Sequence, residues 1–135
     1  MPGESHLPTL LRTMRPVLRE GEFVYCLAPP GLDPSTLAPV CGFREEEGLT
    51  LILPRGAADG AGIAYEGAWR MITLTVHSSL AAVGFLAAVT ARLAAEGISV
   101  NPVAAFHHDH LFVPADRAGD ALRALQALAE DASPA

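Results

Sequence analysis

The chain has 135 residues, 50% of them hydrophobic and only 18% charged, with a net charge of −6. That is material for one compact unit or two small modules sharing a core. All nine basic residues are arginine and they are dispersed. A nucleic-acid binder needs a basic stripe, while a phosphate loop, a Schiff base or a pyridoxal phosphate anchor needs lysine. No run approaches the roughly 20 apolar residues of a membrane span.

Leu7 to Met14 places Leu7, Leu10, Leu11 and Met14 on one stripe and predicts a short helix, bracketed by Pro16 and Gly21. Glu4 and His6 stand where a secretory signal would carry its apolar run. Glu22 to Ala28 is rich in β-formers and predicts a strand. Cys26 and Cys41 fall on or beside strands and read as free thiols of a reducing cytoplasm. The loop residues from Pro29 to Pro39 leave room only for a degenerate helix. Val40 to Glu46 and Leu49 to Leu53 predict a hairpin turning at Glu47-Gly48, and Arg55 to Ile63 a weak helix.

Arg70 to Val76 alternates in the manner of a strand. Leu80 to Glu96 predicts the strongest helix, capped by Ser78 or Ser79 and stopped by Gly97. Its surface is apolar nearly all round, which points to burial on more than one side and to a homodimer. Ile98 to Phe106 and Leu111 to Val113 predict two strands around a turn at His108-Asp109, and Asp116 opens a last helix. The second half therefore reads β-α-β-β-α, one strand short of a ferredoxin-like unit. The first half reads α-β-loop-β-β-α, followed by the strand from Trp69. Each half lacks an element that the other can supply, so an α+β fold of two intertwined modules is expected, divided at 1–68 and 69–135.

Several residues could carry chemistry. Val76 to Leu80 runs from a strand end into a helix start, where free N–H groups and Ser78 and Ser79 favour an anion; a plain helix cap is the competing reading. Asn101 is the chain's one asparagine, in a strand beside Pro102, and is either a ligand contact or a structural residue. Glu46, within Glu45 to Glu47, either keeps a sheet edge soluble or receives a ligand ammonium group. His107, His108, Asp109 and His110 allow a structural turn, ligand-lining histidines or a zinc site. His77 beside Ser78 and Ser79 lacks a G-x-S-x-G elbow and an acid partner, so no catalysis is expected.

The stretches Phe43 to Leu53, Ile72 to Leu80 and His107 to Pro114 together resemble the small bacterial ACT-domain proteins. Those are similar to the ACT repeats of aspartate kinases and of cytosolic arginine sensors. The resemblance implies two ACT-type βαββαβ modules, with antiparallel sheets and helices on one face. It also implies a small ligand such as an amino acid, no cofactor, and output through a separate protein partner. Carried over residue by residue, the ligand loop is His77, Ser78, Ser79 and Leu80, and the facing strand offers Ile98, Ser99, Val100 and Asn101. ACT loops that bind ligands often carry a glycine at the first turn; Gly84 is expected later, inside the helix.

Overall fold

The computed structural model describes residues 3–133. The chain divides into two compact units, one formed by Met1–Arg19 with Arg70–Ala135 and the other by Glu20–Trp69. The smaller unit follows the βαββαβ order, and the larger reads β-α-β-β-α from Trp69 with its remaining strand supplied by residues 16–18; pairing is antiparallel, so the protein is α+β and built from tandem ferredoxin-like modules.

The smaller unit opens with strand β2 (Phe23–Leu27). Pro29, Pro30 and Pro34 prevent a full helix after it, and the chain makes only a four-residue 3-10 helix, Pro34–Leu37. Strands β3 (Cys41–Glu45) and β4 (Gly48–Pro54) follow, and the hairpin turns at Glu46 and Glu47, one residue before the expected place. β4 lies between β3 and β2, and helix α2 (Arg55–Gly60) follows directly. Val24, Leu51 and Leu53 project from one sheet face and pack with Leu37, Ala58 and Ile63. Trp69, the first residue of β5, pairs with Phe23 and closes the unit.

The larger unit begins with α1 (Leu7–Thr13); its Leu10 and the following C-cap residue Met14 are fully buried. Residues 16–18 then form strand β1, which the sequence pattern does not announce. Pro16 opens it, a position where a missing N–H costs no ladder bond. β1 pairs antiparallel with β5 (Trp69–Leu74), with Pro16 opposite Leu74 and Leu18 opposite Ile72. This is the strand that the second half lacks, and it comes from the same chain. On the other side β5 adjoins β7 (Asp109–Pro114), which pairs antiparallel with β6 (Asn101–Ala104). The β6–β7 turn spans Ala105 to His108, closed by the Ala105 N–H on the His108 carbonyl at 3.1 Å, so Asp109 already belongs to a strand.

Helices α3 (Phe85–Ala95) and α4 (Ala118–Asp131) join α1 over Ile72, Leu74, Leu111 and Val113. α4 offers Ala118, Ala121, Ala124 and Leu125, one stripe at helical spacing. α3 starts five residues later than its apolar pattern suggests. It buries only Phe85, Val89 and Leu93, while Ala87, Ala91 and Ala94 stay exposed. Arg92 on α3 and Asp131 on α4 form an ion pair between the two helices.

Candidate functional site

The late start of α3 sets the geometry of the site. Residues 75–84 form an irregular connection instead of the first turn of a helix. Gly84 is the N-cap residue, at φ 92°, in the left-handed region that a side chain would strain. It thus stands at the first turn, where a ligand-binding ACT loop often has its glycine, and not inside the helix. No side chain caps α3. The Ala88 N–H reaches the Gly84 carbonyl at 2.9 Å, and the N–H groups of Phe85, Leu86 and Ala87 precede the first intrahelical donor.

Those three residues line a pocket of about 140 Å³ together with Ser78 to Leu80, Ala104 and Asp109. Asp109 is only 6% exposed and Ser78 only 8%. The Ser78 hydroxyl donates to Asp109 Oδ2 at 3.1 Å. The pocket therefore has two electrostatic ends, the uncapped N-terminus of α3 and the Asp109 carboxylate. Asp109 shares a strand face with Leu111 and Val113, both fully buried in the core. Period-two alternation read backwards from Val113 carries that signal; the expected turn at His108-Asp109 concealed it.

The expected ligand residues distribute unevenly. Ser78, Ser79 and Leu80 line this pocket, and His77 joins them in a second, shallower one of about 280 Å³. Ile98 is a core residue at 3% exposure. Ser99 and Asn101 are exposed and Val100 half-buried, and none of these four lines the pocket. Asn101 opens β6 opposite Phe112. Glu46 is exposed at the β3–β4 turn of the smaller unit.

The histidines behave individually. His107 stacks near His77 and Phe106, with ring centroids 5.5 and 5.0 Å away. His108 donates from Nδ1 to the Val76 carbonyl at 3.3 Å. His110 Nδ1 lies 3.0 Å from the Thr73 hydroxyl, which itself accepts from Arg19 Nε at 3.1 Å. Burial, with the neighbouring His108 ring and the Arg19 guanidinium, holds the His110 imidazole below its ordinary value of 6.5. A neutral ring accepting the Thr73 proton fits that network. Among the described residues, no three His, Cys, Asp or Glu side chains are grouped so as to hold a metal ion. Nor is any helix among them long and apolar enough to cross a membrane.

Comparison with known proteins gives the class. Family models described as ACT domains match residues 2–70 and 66–127, and the chain belongs to the ACT-domain family. ACT domains are regulatory modules that bind small-molecule ligands. A crystal structure of a Vibrio cholerae protein, described as of unknown function and a possible transport protein, is 44% identical. The match covers 91% of this chain and 95% of that one, with a TM-score of 0.83. The fold also matches an Agrobacterium tumefaciens protein at 16% identity, covering 86% and 89% of the two chains, with a TM-score of 0.72. The ligand-free regulatory subunit of aspartate kinase from Thermus thermophilus matches at 14% identity, covering 87% and 98%, with a TM-score of 0.58. No curated protein matches the sequence.

Proposed function

We propose that the protein is a non-catalytic sensor that binds a free amino acid in the pocket between residues 78–87 and the start of β7. The observation that carries this reading is that the buried Asp109 and the uncapped N-terminus of α3 line one small pocket. A zwitterion matches both ends, with its carboxylate on the N–H groups that open α3 and its ammonium group on Asp109. Ser78 orients the Asp109 carboxylate, and Ser79 and Leu80 form the adjacent wall. Glu46, Asn101 and the residues Ile98 to Val100 that precede β6 then have no part in this pocket. Cys26 and Cys41, both free and half-buried, support a cytoplasmic setting.

The test is a thermal-shift screen against the twenty amino acids, repeated with Asp109→Asn. At about 100 times Kd a true ligand stabilises by about 2.7 kcal/mol. The reading predicts a hit in the native protein that Asp109→Asn removes. Silence across the panel, or a hit indifferent to Asp109, overturns it.

A second reading has its own observation. Leu80, Val83 and Phe106 are 68%, 85% and 73% exposed, and they belong to the same unit as the pocket. Large exposed apolar side chains suit a protein interface, and a second copy of the chain is the occupant we favour. Val83→Glu is expected to convert a dimer to a monomer in sedimentation; an unchanged monomer removes this reading.

A further inference from the structure

The Ser78–Ser79 peptide is held from two directions. On the pocket side, Ser78 reaches Asp109. On the other side, the chain's N-terminal segment lies along the same backbone. The Glu4 N–H donates to the His77 carbonyl at 2.8 Å, and the Ser79 N–H donates to the Glu4 carbonyl at 2.7 Å. The two bonds make a single parallel bridge, Glu4 to Ser78, with no ladder beyond it. One bridge is worth little by itself, because each net hydrogen bond shifts an equilibrium only about fivefold. It is nevertheless closely fitted. A Cβ on Gly3 would stand 2.6 Å from both Ser78 C and Ser79 N, so only glycine lets one backbone lie against the other.

The segment is also tied to the core. Glu4 Oε2 accepts from the Ser5 and His6 N–H groups at 3.0 and 3.2 Å, which turns the chain into α1. Leu10 and Met14 of that helical stretch are fully buried. By contrast, residues 79–82 are held mainly by their own bonds, from the Ala81 N–H to Ser79 Oγ and from the Ala82 N–H to the Ser79 carbonyl. Gly3, His77 and Ser78 to Ala81, with Phe106, line the shallow pocket on this outer side. Ser78, Ser79 and Leu80 are therefore a common wall, with the N-terminal segment on one side and the Asp109 pocket on the other.

We propose that the segment Gly3 to Ser5 is a latch for the ligand loop. Docked, it fixes the Ser78–Ser79 peptide in the position that closes the Asp109 pocket; released, it lets that wall open. The coupling to ligand rests on reading the pocket as the amino-acid site, and it is reciprocal, since a ligand that favours the closed loop favours the docked latch equally. The latch is a feature of the chain's own backbone, and any protein that captured the freed segment would sense whether ligand is bound.

The test compares Gly3→Val and Glu4→Pro with Glu4→Gln, which keeps the backbone bonds. Amide exchange at Ser79 is followed in each, together with titration of the twenty free amino acids. In Gly3→Val and Glu4→Pro the Ser79 amide should exchange about thirtyfold faster, the loss of two net hydrogen bonds. Affinity for the amino acid that binds the native protein should fall by about the same factor, while Glu4→Gln stays native-like on both counts. Unchanged exchange at Ser79 in Gly3→Val overturns the latch. Faster exchange with equal or tighter binding overturns the coupling and makes the segment a competitor. If no amino acid binds the native protein, the ligand reading falls, and the exchange comparison alone decides whether the segment holds the loop.

Discussion

The two units solve the same problem at the same place in opposite ways. Each leaves a strand, β2 in the smaller unit and β5 in the larger, and must start a helical element, with free N–H groups at that start. In the smaller unit Asp33 closes this point itself. Its Oδ1 accepts from the Ser35 N–H at 3.0 Å and the Ser35 hydroxyl at 2.8 Å, and those bonds hold the Asp33 carboxyl below its ordinary value. In the larger unit Gly84 brings no side chain to the start of the 11-residue α3, and Asp109, which lines the same pocket, is bonded to Ser78. The lesson is that a binding site can arise where a local cap is withheld. One module uses its own carboxylate, and the other leaves the N–H groups at its helix start without a side-chain cap.

Four substitutions probe this contrast, in falling order of effect. Leu93→Ala removes a fully buried side chain beneath α3 and should cost about 3 kcal/mol in denaturant unfolding; a loss under about 1 kcal/mol would mean that α3 is not anchored as described. Ser78→Ala leaves the buried Asp109 carboxylate without its donor and should cost about 1–3 kcal/mol. The same variant should blunt any amino-acid response, and retention of both stability and response would separate Ser78 from the site.

The third concerns pH. His110 has a folded-state value below its ordinary 6.5, so the unfolded chain binds more protons between the two values. Stability is then fully present above 6.5 and falls as the pH drops through that window. His110→Gln should flatten the slope, read from melting temperatures between pH 7.5 and 5. An unchanged slope would assign the acid sensitivity to other groups. The smallest effect belongs to Asp33→Ala, which opens the smaller unit's helix start. It should lower the melting temperature slightly above pH 4, with the difference vanishing as acid protonates the native carboxylate. It should create no amino-acid response, since a four-residue 3-10 helix lacks the aligned N–H groups of α3.

Much of this architecture is legible in the sequence, for identifiable reasons. α4 is readable because its apolar stripe is long and regular, and the degenerate element at Pro34–Leu37 because proline forbids a helix. β1 is not, since three residues give no period to detect. The start of α3 is misjudged because Leu80, Ala81, Ala82 and Val83 are helix-compatible and apolar; only Gly84, with its positive φ, breaks the run. That shift moves the uncapped helix N–H groups from residues 78–80 to residues 85–87. Asp109 is passed over because a histidine-rich turn hides the beginning of an alternating strand. Ser78 and Ser79, the expected residues that line the pocket, lie next to a strand end whose position the alternation fixes.

The origin of β1 also bears on synthesis. The smaller unit is complete once Trp69 has emerged from the ribosome, whereas the larger one holds its first strand, Pro16–Leu18, unpartnered until Ile72 to Leu74 follow. Its core also needs α4, which lies later still in the sequence. Domains generally fold as units in order of emergence, so the smaller unit can finish while α1 and β1, which precede it, still lack their partners. The side chain of Leu10, fully buried in the finished unit, stays uncovered for that interval.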